Sequence, residues 1–300
     1  MIKRLNIYLK EMYPVIPRLL LGFILFFEIY FLCILTAHVD ALKIGLQEII
    51  GAITLFNFLM ALRIADEFKD KEVDLRLFPE RPYPSGRVKT KDLAALLILI
   101  SVITITLNLV FMNNRIYFVI LAVYGLLMSL WFFSKHHISK SLPLALVTHN
   151  PIQLVMNLYV ISFACIKYDL PLLTVNNVLI MFTLYFPGLI WEISRKTRAP
   201  GDEDEYVTYS KLFGHRKVTL FIMTVMAIDV VTSSILIYQL LPIATVTVFL
   251  SYVWFIFKCR TFMRTPERFK LVNKVIIYEY VTEATMVLAQ FVYIYLRWFR

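Results

Sequence analysis

The chain alternates between long apolar runs and short charged connections. Runs of roughly 17–25 residues, nearly free of charge, lie near 15–37, 44–65, 93–112, 116–134, 143–166, 172–192, 217–240, 242–258 and 275–296. A hydrocarbon core about 30 Å thick needs about 20 apolar residues in a helix, so nine spanning helices are predicted. Two junctions are short, around Asn113-Asn114 and Leu241-Pro242, where little polar sequence separates neighbouring runs. The longest connection is about 27 residues, which leaves no room for a soluble domain. The expected architecture is therefore all-α, with residues 1–300 forming a single polytopic transmembrane domain. Basic residues precede the first run, which is longer than a signal-peptide core and lacks a small-residue cleavage site, so it is expected to be a retained first span.

Composition agrees: 59% of the residues are apolar, 17% are charged, and mean hydropathy is +0.71. The net charge of +10, from 31 basic against 21 acidic residues, would raise nucleic-acid binding in a soluble chain. Here the charges sit between apolar runs, where the membrane surface accounts for them, and no nucleic-acid partner is expected. Of the 31 Lys and Arg, 26 fall at or before the start of the first run (up to Arg18) or within 63–91, 135–140, 195–217 and 258–274, on one side of the nine-span order. That bias predicts a cytoplasmic N-terminus and cytoplasmic long connections, in a multi-pass protein whose expected setting is a bacterial inner membrane. Cys33, Cys165 and Cys259 show no CxxC spacing, so neither a disulfide frame nor a thiolate metal site is expected. No internal repeat of the transporter kind is visible.

Any chemistry must then lie in the bundle and its loops, and the acidic residues point to where. Twelve of the 21 acids fall in two stretches, 66–92 and 192–205. In the first, Asp66, Asp70 and Asp74 recur every four residues. On a helix continuing past the second span, that spacing drifts by only about 40° and rises about 6 Å, so the three carboxylates form one stripe. A divalent cation relieves their repulsion, and Mg²⁺ favours hard oxygen ligands together with waters and phosphates. The competing reading is a solvated helix end neutralised by Lys69, Lys71 and Arg76. The second stretch sets Glu192 and Lys196 one helical turn apart, then Arg198, the Pro200-Gly201 break, and Asp202 to Glu205. Such mixed charge suits a metal diphosphate, because Mg²⁺ neutralises some phosphate oxygens while Lys and Arg bind the rest. Surface charge is the plainer alternative there.

These segments resemble the UbiA superfamily of intramembrane prenyltransferases. The family carries NDxxDxxxD after its second span and then an RP-x-P-S-G-like loop. This chain has Asp66-Glu67-x-x-Asp70-x-x-x-Asp74 and Arg81-Pro82-Tyr83-Pro84-Ser85-Gly86, with Asp66 where Asn is commoner and Glu67 where Asp is. Trp131-x-x-x-Lys135 is similar to the family's YxxxK, with Trp for Tyr. Glu192, Asp202, Thr208 and Gly214 match the second aspartate motif, while Arg195, Lys196 and Arg198 stand where further acids are usual. The resemblance implies a ring of helices around a central chamber open to lipid, with a prenyl diphosphate held on Mg²⁺ between the two motifs. Its ionisation would give an allylic cation that an aromatic or lipid-like acceptor captures. On that footing Asp66, Asp70, Asp74 and Asp202 are the metal ligands, and with Glu192 they form the catalytic set. Arg81, Lys135, Lys196 and Arg198 bind substrate.

Polar residues inside spans are costly and therefore informative. Asn150, Gln153 and Asn157 share one face of the fifth span, where Asn150 is a candidate for the acceptor pocket and interhelical bonding is the equal alternative. For Glu28 and Asp229 packing partners are expected, whereas Glu279 and Glu283 lie one turn apart and are candidates for the chamber. Two rival functions stand beside prenyl transfer. One is a UbiA-type terpene cyclase that needs no separate acceptor. The other is a membrane transporter of cations or polyprenyl phosphate, which would spread its charges along a transmembrane path instead of gathering them on one face.

Overall fold

The structure, a computed structural model, describes residues 1–298, which are helical with no strand among them. In chain order the helices are α1 Ile2–Glu11, α2 Val15–Thr36, α3 Leu46–Lys69, α4 Lys71–Leu77, α5 Thr90–Phe111, α6 Arg115–Ser129, α7 Lys135–Ile138, α8 Leu142–His149, α9 Ile152–Tyr168, α10 Val175–Thr183, α11 Phe186–Arg195, α12 Tyr209–Phe213, α13 His215–Leu240, α14 Ala244–Arg264 and α15 Leu271–Trp298.

Eight helical segments among the described residues are long and apolar enough to cross a membrane, with α8–α9 and α10–α11 each counting as one. This is an integral multi-pass architecture. The ninth expected span, 116–134, departs from the expectation: α6 has 15 residues, enough for only about 22 Å at 1.5 Å per residue. Its apolar run continues to Phe133, but Trp131, Phe132 and Phe133 all take left-handed backbone angles (φ 53°, 49° and 57°) and carry the chain out of the helix. Left-handed conformation costs non-glycine residues roughly 1–2 kcal/mol each, so this turn is held by its surroundings and not by local preference.

The chain divides into two compact units. The first comprises residues 1–30, 40–135 and 158–170. Its helices approach closely where side chains are absent: a Cβ on Gly51 of α3 would sit 2.1 Å from the ring of Phe26 on α2. Mid-span polar groups satisfy one another across helices. Asn57 donates to Thr104 at 3.0 Å, Asn108 to Thr54 at 2.8 Å, and the Tyr159 hydroxyl to Asn108 at 2.7 Å. In hydrocarbon such bonds replace those that water cannot make. At one end of α3, buried Glu48 pairs with Lys167 and accepts the Gly45 N–H at 2.8 Å, capping the helix.

The second unit comprises residues 31–39, 136–157 and 171 onward. Here α13 packs on α14 and α14 on α15. Asp229 accepts hydrogen bonds from Tyr278 at 3.1 Å and Ser233 at 3.3 Å, the packing partners expected for it. Pro151 separates α8 from α9. Beside it Gln153 donates to Asn157 at 3.0 Å, and Asn157 donates to the Met181 carbonyl at 2.8 Å, so this polar face is used in part for interhelical bonding. The Asn150 side-chain oxygen is buried and makes no hydrogen bond.

Candidate active site

The first acidic stretch keeps the predicted register but not an unbroken helix. Asp70 (φ −105°, ψ 13°) separates α3 from α4. The i to i−4 ladder nevertheless runs through it: the N–H groups of Asp70, Asp74 and Phe78 donate to the carbonyls of Asp66, Asp70 and Asp74, each at 2.9 Å. Asp66, Asp70 and Asp74 therefore follow one another at single-turn intervals at the end of the second span.

Three of the acids in this run are paired with bases. Lys69 lies 2.9 Å from Asp66, Arg63 donates to Glu67 at 2.6 Å, and Arg81 donates to Asp74 at 3.1 Å while its guanidinium covers the Phe78 ring at 3.7 Å. Burial pushes the Asp70 carboxyl up from its ordinary range. Lys69 opposes that shift, and the neighbouring Asp66 and Asp74 add to it. An added cation would offset the repulsion from Asp66 and Asp74, though not the burial that is the main cause.

Glu67, read from the sequence as a motif position and not as a ligand, is the most buried acid between Asp66 and Asp74. Its side chain is 1% exposed, one oxygen takes the Arg63 bond, and the other is buried without a partner. Glu67 continues the buried face Asn57, Met60, Ile64 of α3, so the acid next to the predicted stripe is the one turned inward. Its position in the motif, where the UbiA pattern has Asp, was the available signal. Among the described residues no three Asp, Glu, His or Cys side chains converge as a ready-made metal cage. A hard cation that keeps waters and phosphate oxygens needs no such cage. The donors along this run are carboxylates, the kind of ligand a hard divalent cation takes.

The loop after α4 is folded on itself: Ser85 and Val88 N–H donate to the Arg81 and Pro82 carbonyls at 2.9 Å each, and Gly86 takes φ 76°, open to it for want of a Cβ. Lys135 begins α7 immediately after the left-handed turn, and its side chain is exposed. Lys69 lies 4.8 Å from the Trp131 ring, which links the Asp66 pair to the Trp131-x-x-x-Lys135 segment.

The second stretch is organised differently. Glu192 receives both Arg195 at 2.5 Å and Lys196 at 2.8 Å, confirming the one-turn spacing but spending both bases on one acid. Arg198 pairs with Asp204 at 2.6 Å and holds that carboxyl below its usual range. Glu203 accepts the Thr208 and Ser210 hydroxyls at 2.6 Å each, while Thr208 also caps α12 by accepting the Lys211 N–H at 3.0 Å. Asp202, the ligand expected in this stretch, ends a short 3₁₀ turn and is exposed.

No family model matches the sequence, and no curated protein matches it. The fold, however, has a solved counterpart. A structure of digeranylgeranylglyceryl phosphate synthase, described for its biosynthesis in membranes, superposes with a TM-score of 0.66 over 96% of this chain and 99% of that one, at 17% identity. The chain thus shares its all-helical fold with that membrane synthase.

Proposed function

We propose that the chain is a Mg²⁺-dependent intramembrane enzyme that ionises a prenyl diphosphate and transfers the prenyl group to an aromatic or lipid-like acceptor. The observation that carries this reading is the acidic run at the end of α3, with Glu67 buried and one of its oxygens unsatisfied, followed at once by Arg81. Glu67, Asp70 and Asp74 would hold the metal, with Asp66 beside them. When bound, Mg²⁺ supplies neutralisation of diphosphate charge.

The chain's own part is to bind, orient and exclude water. Arg81 is a planar donor suited to phosphate oxygens, and its second face is shielded by Phe78. Heterolysis of the allylic C–O bond leaves the electron pair on diphosphate. The acceptor then forms the new bond and sheds a proton. Lys135, Lys196 and Arg198 are further candidates for the diphosphate, and Asn150, with its unbonded oxygen, for the acceptor. The basic bias of the loops supports a cytoplasmic placement for the acidic run.

Mass spectrometry of products, after incubating the membrane-embedded protein with prenyl diphosphates of several lengths, with and without aromatic and lipid acceptors, tests the reading. A prenylated acceptor that requires Mg²⁺ is expected. A cyclised hydrocarbon formed without acceptor would instead identify a terpene cyclase, and no turnover of any diphosphate would overturn both.

A further inference from the structure

Between the spanning helices α3 and α5, the connecting segment encloses a cleft of about 260 Å³. That is several times the roughly 30 Å³ share of one water, so the cleft admits a small ligand group. Its walls are Lys71 and Leu75, one turn apart on α4, Tyr83 and Gly86 of the folded loop, and Lys89 and Thr90 where α5 begins. The Tyr83 ring joins the two basic sides. Lys71 Nζ stands 5.8 Å from the ring centre, and the phenol hydroxyl meets the Thr90 hydroxyl at 3.1 Å. At Gly86 nothing lies within 4 Å of where a Cβ would stand, so the loop backbone faces open space there.

Charge pairing sets this cleft apart. Around it Asp66 is taken by Lys69, Asp74 by Arg81, Asp92 by Arg4 at 2.5 Å and Glu11 by Arg87 at 2.6 Å. The last two pairs also lay α1 along this segment, with its Tyr8 fully buried. Lys71 and Lys89 form no ion pair among the described residues, and no acid lines the cleft they share. Two lysines on one concave surface repel each other, and a bound anion relieves that repulsion. The Thr90 hydroxyl adds a hydrogen-bond donor, while Leu75 and the Tyr83 ring supply apolar wall. Depth narrows the choice of anion. Because α3 ends at Lys69 and α5 begins at Thr90, the cleft lies where both spans leave the hydrocarbon, at the level of lipid phosphates.

We propose that this cleft binds a phosphate group, supplied either by the headgroup of an anionic lipid or by free phosphate. It is separate from the acidic run: Lys71 and Leu75 line the cleft, whereas Asp74 of the same helix is buried and held by Arg81. The proposal therefore does not depend on prenyl transfer.

Thermal melting of the full chain in neutral detergent micelles, without Mg²⁺ or prenyl diphosphate, tests it. One arm is titrated with short-chain phosphatidylglycerol and the other with sodium phosphate, at constant ionic strength. A saturable rise in melting temperature is expected in at least one arm. A response to the lipid alone makes the headgroup the ligand, and a response to phosphate shows that the phosphate group suffices. Each lysine at such a surface is worth about fivefold in affinity, so Lys71→Gln combined with Lys89→Gln should need roughly 25-fold more ligand for half the rise. Arg76→Gln combined with Lys91→Gln removes the same charge from exposed positions outside the cleft and should keep the wild-type requirement. No saturable rise in either arm would overturn the proposal. So would an equal loss in both double variants, which would reduce the effect to the general attraction of a basic surface for anions.

Discussion

The two acidic stretches look alike on paper and differ in what surrounds them. In 66–92 an amphipathic helix covers the charges, leaving Asp70 partly buried and Glu67 with an oxygen that nothing in the chain satisfies. In 192–211 almost every charge finds its opposite within a few residues: Glu192 with Arg195 and Lys196, Arg198 with Asp204, Glu203 with two hydroxyls. Of that second set Arg195 and Asp204 are exposed while Glu192 and Lys196 are largely covered, so its pairing and not its exposure sets it apart. Local composition alone does not tell the two stretches apart. The separation lies in whether charge remains unbalanced where water is excluded.

The largest expected effect tests the unbalanced stretch. Asp70→Ala should reduce turnover by about 10²–10³-fold or more, with helix content and insertion unchanged by circular dichroism and protease protection. Wild-type turnover in this variant would return the first stretch to the status of a charged helix end.

Lys196 decides whether the second stretch takes part at all. If it leaves Glu192 to meet a diphosphate, Lys196→Ala removes a charge-assisted contact of about 1.5–3 kcal/mol and weakens prenyl diphosphate affinity roughly ten- to hundredfold. Unchanged affinity by equilibrium binding would mean that the lysine serves Glu192 alone.

Within that stretch, Glu203 and Asp204 should part company. Glu203→Gln loosens two short bonds to Thr208 and Ser210 and should cost about 1–2 kcal/mol, read as a lower melting temperature. Asp204, whose side chain is 61% exposed, should leave the melting temperature unchanged as Asp204→Asn. Equal effects would erase the distinction between an anchored and a solvated carboxylate.

The smallest effect concerns the cover of the first stretch. The Arg87 guanidinium holds the Glu11 carboxyl below its ordinary 4.5. A depressed carboxylate stabilises the fold above 4.5, and that contribution disappears as pH falls through its lower folded value. Amide exchange in residues 2–11 should therefore quicken below 4.5 in wild type, and an Arg87→Met variant should show no such onset.

Most spans were legible because the membrane demands about 20 apolar residues wherever a helix crosses. The aspartate register was legible too, since a spacing of four needs only helical geometry. Which acid turns inward was not: Asp66 and Glu67 are about 100° apart on the helix, and only the packing around α3 decides between them. The signal for α1 lay in Leu5, Tyr8, Leu9 and Met12, apolar at i, i+3, i+4 and i+7, too short a pattern to register as a span. The end of α6 had no sequence signal at all. Trp131, Phe132 and Phe133 read as membrane interior, with neither Gly nor Asn to announce a left-handed turn.

The ion pairs that tie α1 to the segment after Arg81, Arg4 with Asp92 and Arg87 with Glu11, also set an order of events during synthesis. Arg4 must wait 88 residues for Asp92, and Arg87 follows Glu11 by 76. At about 5–20 residues per second that is a delay of roughly 4–18 s, during which α2 and α3 emerge while α1 has nowhere to dock. Of the described helices, the first in chain order is thus among the later ones to find its place. A nascent chain halted before residue 87 should leave Tyr8 open to chemical labelling at the membrane surface, and one halted well beyond residue 92 should protect it.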